Sequence, residues 1–431
     1  MSAVDTIFAL SSGAPPAAIA IIRISGPNAF DAVQMLAGRL PEARRATLAT
    51  LRNPSDGSFL DRALLLTFMG PDTATGEDLA ELHLHGGRAV VRAVEASLAA
   101  VGGLRRAQPG EFTRRAFANG RLDLNEAEGL ADLLTAETEW QRRAAGAMMS
   151  GAFSQAIESW REDLLGLSAR VEAELDFSDE DDVDTQNNHD ITNGCRKLHG
   201  VITSLLEAPT AEKLRDGIRV VIGGPPNCGK STLLNALVAR EAAIVSDIAG
   251  TTRDLIEVPV AIDGMPFVFI DSAGIRAETD DHIEAIGIDR ARMAFDAADM
   301  MLWLGEEGKG PSHPALLEIE AKNDDPSHER KSESANRLSA LTGNGVGSLV
   351  KAITVRAAAL LPPPDQFAIN DRQRLLLADT ASALSSAADV EDWLIVAEQL
   401  RQARLSLDAL TGRAHTEDML DALFGRFCIG K

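Results

Sequence analysis

A chain of 431 residues with 45% apolar and 25% charged side chains has material for two or three packed domains, which excludes a disordered or fibrous protein. Forty-two basic against 64 acidic residues leave a formal charge of −22, so the general field of the chain repels a polyanion such as tRNA. Three scattered cysteines (Cys195, Cys228 and Cys428) exclude a disulfide framework or thiolate zinc site, and no apolar run reaches the roughly 18 residues of a membrane span.

The first 120 residues read as α/β. Strands are expected at Ala18–Ser25, Ala63–Met69 and Asp78–His85, and helices at Asn28–Leu36 and Arg88–Val101. This stretch is nearly neutral, with 12 basic and 11 acidic side chains, whereas residues 121–215 carry 9 against 20. Any nucleic-acid substrate must therefore be held by a local basic patch or by a partner protein. From Leu122 the apolar spacing becomes helical, with predicted helices at Leu122–Leu134, Thr138–Leu175 and Ile191–Leu205. The acidic Asp179–Asp190 reads as a solvated loop. Strands resume at Ile218–Ile222 and alternate with helices to about Leu360. Pro362-Pro363-Pro364 is a stiff break, and Asp371–Ala387, Val390–Ala409 and His415–Phe424 are helical again. The economical arrangement is an α/β domain inserted into an all-helical one: 1–120, helical part 121–215, inserted domain 216–360, helical part 361–431.

Gly224-Pro225-Pro226-Asn227-Cys228-Gly229-Lys230-Ser231 fits the phosphate-loop pattern G-x-x-x-x-G-K-[ST], with an apolar strand before it and an amphipathic helix from Thr232 after it. Such a loop wraps phosphates in backbone N–H groups at a helix N-terminus. Lys230 would reach the β and γ phosphates, and the Ser231 hydroxyl would bind Mg²⁺. Gly250-Thr251-Thr252 follows about twenty residues on, where Thr252 could give the metal a second hydroxyl. Asp271-Ser272-Ala273-Gly274 ends the strand Pro266–Ile270, with Asp271 behind the metal and the Gly274 N–H facing the γ-phosphate. Ala321-Lys322-Asn323-Asp324 occupies the guanine-reading position, and Ser339-Ala340-Leu341 the last base-contacting loop. Asp324 can accept two hydrogen bonds from guanine that adenine cannot offer, so GTP is the expected nucleotide. Ala321 lacks the usual Asn amide, about one neutral hydrogen bond or roughly 1 kcal/mol. Ile275 cannot orient water as a glutamine there would. Asn227 reads either as a turn residue or as a monovalent-cation ligand beside the β–γ bridge.

These motifs resemble the MnmE (TrmE) family, bacterial tRNA-modifying GTPases, over nearly the whole chain. The resemblance also rests on Asp5-Thr6-Ile7, Ile21-Ile22-Arg23-Ile24-Ser25-Gly26, Thr75-Gly76-Glu77-Asp78, His85-Gly86-Gly87 and Pro109-Gly110-Glu111-Phe112-Thr113-Arg114-Arg115-Ala116-Phe117. Asp247-Ile248-Ala249-Gly250-Thr251-Thr252-Arg253-Asp254 and the terminal Phe427-Cys428-Ile429-Gly430-Lys431 complete it. It implies a folate-binding N-terminal domain that dimerises the protein, a helical domain, and an inserted Ras-like GTPase domain. It implies a tetrahydrofolate derivative, 5-formyl or 5,10-methylene, held by Arg23, Glu81, Arg121 and Lys431, with Arg121 replacing an expected lysine. It assigns Asn227 to K⁺ together with Ser246, Ile248 and Thr251, and water orientation to Glu284. The implied reaction, with the FAD-binding partner MnmG (GidA), places a carboxymethylaminomethyl or aminomethyl group at C5 of the tRNA wobble uridine in the cytoplasm. Ala74 departs from the tyrosine expected before Thr75.

Glu81, His83 and His85 alternate on one strand face and could ligate a metal or simply pack there. Cys428 is either a buried small residue or a functional thiol, while Cys228 reads as only a small side chain and Trp303 as core. Two rival classes are a ribosome-assembly GTPase, which the acidic C-terminal segment disfavours, and a folate transferase with a dead nucleotide domain, which Lys230, Ser231, Thr252 and Asp271 disfavour.

Overall fold

The computed structural model describes residues 5–176, 185–240, 257–271, 293–325, 330–332, 335–413, 417–425 and 427–430, without the side chains of 185–188 and 417–419. The chain divides into two compact units: 1–131 with 408–431, and 132–407.

The first unit is built on a six-stranded sheet. Its strands are β1 (Thr6–Leu10), β2 (Ile19–Ser25), β3 (Thr47–Arg52), β4 (Phe59–Phe68), β5 (Leu79–His85) and β6 (Leu104–Arg106), in the order β3-β4-β5-β2-β1-β6. All neighbours are antiparallel except β1 and β6. Period-2 alternation decides which face is covered. Ala20, Ile22 and Ile24 of β2, with Ala63, Leu65, Leu82 and Leu84, point to a core closed by α1 (Ala29–Ala37) and α2 (Arg88–Ala99). On the opposite face Ile7 and Ala9 of β1 pack with Phe112 of α3 (Glu111–Ala118). Leu48 and Leu64 on that same face remain exposed. The sequence reading located β2, β4 and β5 but not β1, β3 or β6.

After α4 (Leu124–Thr135), α5 (Glu139–Met149) of the second unit starts with a capping box, Thr138 accepting from the Gln141 amide while the Gln141 side chain reaches back. The predicted helix Thr138–Leu175 is broken into α5 and α6 (Ala152–Asp176) because Gly151 takes φ +77°, which stops a right-handed helix. The next helix begins at Thr185 and runs to Leu206, so residues 185–190 are helical rather than part of the expected loop. Polar residues at the first turn of an amphipathic helix cost little once the following turns pack. Helix Asp371–Asp389 lies along it.

The parallel sheet of this unit comprises β7 (Ile218–Gly223), β8 (Glu257–Ile262), β9 (Met265–Asp271), β10 (Met300–Trp303), β11 (Leu316–Glu320) and β12 (Asn336–Arg337). The order is β12-β11-β10-β7-β9-β8, with only β8 antiparallel. Central strand β7 is covered on both faces and so nearly all apolar: Val220, Val221 and Ile222 are all fully buried. Trp303 ends β10 as expected. It is half-buried rather than core, its indole N–H donating to the Glu306 carbonyl at 2.9 Å.

Candidate functional site

Chain order moves from β7 to β9 on one side and then to β10 on the other, which creates a crevice at the carboxyl ends beside β7, the usual ligand position in an open parallel sheet. Residues 224–229 leave β7 there and turn into helix Lys230–Arg240. The turn needs unusual backbone: Gly224 takes φ +151°, Asn227 φ +62° and Gly229 φ +104°. A Cβ on Gly224 would lie 2.8 Å from the Cys228 sulfur and 3.2 Å from Leu304 Cβ, so only glycine lets the loop close. Cys228 is thus a small packing residue, half-buried beneath the loop.

The buried Lys230 donates to the carbonyls of Gly224 and Pro225 at 3.0 and 2.9 Å. An ammonium folded over loop carbonyls is poised to exchange them for phosphate oxygens. Ser231 Oγ donates to Asp271 Oδ2 at 2.7 Å, which joins the helix start to the end of β9. A hydroxyl beside a buried carboxylate is an oxygen donor set suited to a hard divalent cation. Lys322 donates to the Asn227 carbonyl at 2.9 Å and bridges Ser339, so the segments after β11 and β12 reach the loop after β7. Buried Ala321 lies under Gly229, while Asn323, Asp324 and Leu341 are exposed and Ala340 is half-buried. The Ser339 hydroxyl accepts from the Thr342 amide and fixes that last loop. Thr232 is exposed in the first helical turn. Ser246, Ile248, Gly250, Thr251, Thr252, Ser272, Ala273, Gly274 and Glu284 lie outside the described residues.

In the first unit, register places Arg23 of β2 opposite Glu81 of β5, and their side chains pair at 2.9 Å. The Arg23 guanidinium also sits 5.9 Å above the Phe112 ring. Glu81 accepts additionally from His83 Nε2 at 3.2 Å, while His85 Nδ1 is 2.7 Å from Asp61. Glu81 and His83 therefore bond one another while His85 turns to Asp61, and no metal-holding group occurs among the described residues. Arg121 pairs with Asp72 at 3.2 Å, not with Arg23 or Glu81. Ile429 bridges Pro109, and a Cβ on Gly430 would lie 2.0 Å from the Leu10 carbonyl, so the C-terminal segment is closely seated against β1. Cys428 beside it is exposed, against the packing alternative. Lys431 lies outside the described residues.

Models of two families match: the MnmE helical domain over residues 124–428 and the GTP-binding protein TrmE N-terminus over residues 6–121. A protein named tRNA modification GTPase MnmE from Novosphingobium aromaticivorans is 58% identical, covering 99% of this chain and 100% of its own. Its namesake in Erythrobacter litoralis is 57% identical over the same shares, and that of Zymomonas mobilis 48%. The chain belongs to the MnmE family.

Family-bearing motifs of the first unit also join one another in ways that sequence order did not reveal. Glu77 accepts from Ser25 Oγ at 2.7 Å and from Arg115 at 3.0 Å, and Thr75 Oγ1 lies 2.7 Å from Ser25 Oγ. Arg115 in turn holds Asp5 at 2.6 Å. Arg105 bonds Asp5 and Glu111. Burial alone would raise the carboxyls of Asp5 and Glu111, but the Arg105 hydrogen bonds, with those of Arg115 on Asp5 and the Gln108 amide on Glu111, hold both below their usual range. The network lines a cleft of about 680 Å³ in this unit, and its charges are spent on one another. No helix among the described residues is long and apolar enough to cross a membrane.

Proposed function

We infer that this chain hydrolyses GTP and that the hydrolysis serves tRNA modification. The observation that carries the reading is the phosphate loop at the end of β7, where Lys230 and the Ser231–Asp271 pair stand at the carboxyl ends of a parallel sheet. Membership in a family whose members are named tRNA modification GTPases supplies the RNA side. Lys230 exchanges its loop carbonyls for the β and γ phosphates. Ser231, with Thr252, binds Mg²⁺, and Asp271 holds that shell from behind. Mg²⁺, when bound, neutralises charge on the phosphates. Asp324 reads guanine, with Lys322 pinning its segment to the loop. Asn227, whose carboxamide makes no hydrogen bond within the described residues, offers an oxygen to K⁺ with Ser246, Ile248 and Thr251. Glu284 orients the attacking water, since Ile275 cannot. On this reading hydrolysis is faster in K⁺ than in Na⁺, and Asn227→Ala removes the difference. An unchanged rate ratio would overturn the cation role.

The finer reading takes folate at Arg23, Glu81, Arg121 and Lys431. Support comes from the Arg23–Glu81 pair beside an aromatic ring and from the C-terminal segment seated next to β2's partner strand. A carboxylate suits an amino-pterin edge, and guanidinium suits a glutamate tail. Homodimerisation through this unit belongs to the same reading. The proposed partner is MnmG, the product a C5-carboxymethylaminomethyl or aminomethyl wobble uridine, and the compartment the cytoplasm. Mass spectrometry of wobble nucleosides from cells lacking the gene tests this. Loss of the modified uridines is expected, and unchanged uridines would overturn the tRNA role.

A further inference from the structure

A chain of net charge −22 that acts on tRNA can itself hold the phosphate backbone only where its own field does not repel it. At the outer edge of the first unit's sheet lies a groove of about 570 Å³, between the end of α1 and strands β3 and β4. Arg39, Arg52 and Arg62 line it, and no acidic residue does.

These arginines differ from several other exposed arginines of the first unit. Arg45, Arg105, Arg106 and Arg121 each pair with a carboxylate. By contrast, Arg39 donates to the Leu48 carbonyl at 2.9 Å and Arg52 to the Gly57 carbonyl at 3.0 Å, bonds that orient the guanidinium without cancelling its charge. Arg62 makes no side-chain bond within the described residues. The nearest carboxylate in sequence, Asp61, is buried and committed to the His85 amide and ring at 2.8 and 2.7 Å. Arg62 stands opposite Thr50, two residues from Arg52 on the paired strand, where the register shifts between Leu51 and Arg52. The floor between them is exposed Thr50, a small hydrogen-bonding side chain. Three unneutralised guanidiniums converging on one open groove match successive phosphates of a single strand, and planar N–H forks suit phosphate oxygens better than point charges do.

We propose that the Arg39–Arg52–Arg62 groove binds the phosphodiester backbone of the tRNA substrate. The assignment rests on the tRNA reading above and adds where this chain grips the RNA.

Binding of a fluorescently labelled, unmodified tRNA transcript to the full-length protein tests it across a salt series. Arg52→Ser with Arg62→Ser should weaken binding roughly tenfold near 0.1 M salt and lower the log–log salt slope by about 1.5. GTP hydrolysis and the thermal unfolding midpoint should stay at the parent values. Arg52→Lys with Arg62→Lys should restore most of the slope, and Arg401→Ala, an exposed arginine of the second unit, should leave binding unchanged. Equal affinity and slope for the serine variant and the parent would overturn the proposal. So would a parent that hydrolyses GTP yet binds no tRNA. In that case the wobble-nucleoside measurement still decides the tRNA role separately, with the partner then carrying the RNA. Vesicles containing anionic lipid provide the other arm. Sedimentation of the parent but not the serine variant, with tRNA affinity unaltered, would reassign the groove to a membrane surface.

Discussion

The two sheets of this molecule build their sites by opposite means. In the second unit the chemistry sits where strands end: the loops after β7, β11 and β12 meet beside the end of β9 at one end of a parallel sheet, and backbone conformation does much of the positioning. In the first unit it sits across strands, with Arg23 and Glu81 or Arg52 and Arg62 brought together by register on a sheet face. An end-of-strand site is written in consecutive residues, so a local motif announces it. A face-of-sheet site is written in alternate residues of separate strands and becomes visible only once pairing is known.

That contrast can be broken first at Lys230. Lys230→Ala should lower GTP turnover about a thousandfold, in line with loss of a preorganised group at the phosphates. Chemical unfolding of the first unit should not change. Near-normal turnover would show that the loop after β7 is not the hydrolytic site. Glu284→Ala comes next, with a loss of about a hundredfold in kcat and nearly intact GTP affinity, because a group that orients only water acts in the transition state. Asp281→Ala is the control and should be near neutral. If Asp281 carries the effect instead, the assignment along this stretch is displaced.

On the other side of the comparison, Glu77→Ala should destabilise the first unit by about 2–3 kcal/mol and leave GTP hydrolysis alone. It removes one charged partner of Arg115, only 13% exposed, and one of the two partners of the Ser25 hydroxyl. Denaturant titration read beside GTP turnover separates the two. A matching fall in turnover would mean that the two regions are not energetically separate.

The smallest effect is on pH. Asp5 and Glu111 titrate below their ordinary 3.8 and 4.5 in the folded protein. Their contribution is therefore complete above those values and fades as pH falls through the lowered ones. Tertiary signal from the first unit should weaken on acidification below about pH 4. Arg105→Ala should flatten that dependence, and an unaltered acid profile would remove the network from the account.

What the sequence disclosed follows the same division. Lys230, Ser231 and Asp271 could be named in advance because loop, helix start and strand end are each short local patterns. β2 and β5 were legible from strict alternation, whereas β6 spans three residues and exists only because β1 pairs with it. The break at Gly151 was hidden because apolar spacing continues on both sides of it. The Glu77–Arg115 pairing joins two motifs that sequence order keeps 38 residues apart, and no periodicity links them. The family resemblance groups Arg121 with Arg23 and Glu81, and its ion pair with Asp72, in a separate loop, is one that no local pattern announces.

The most direct test of the account is a comparison of GTP and ATP hydrolysis by the purified full-length protein with Mg²⁺ and K⁺ in one buffer. Asp324 on its Lys322-pinned segment requires GTP to be turned over well ahead of ATP, even with Ala321 in place of an amide. Equal turnover of the two nucleotides, or none of GTP, would contradict it.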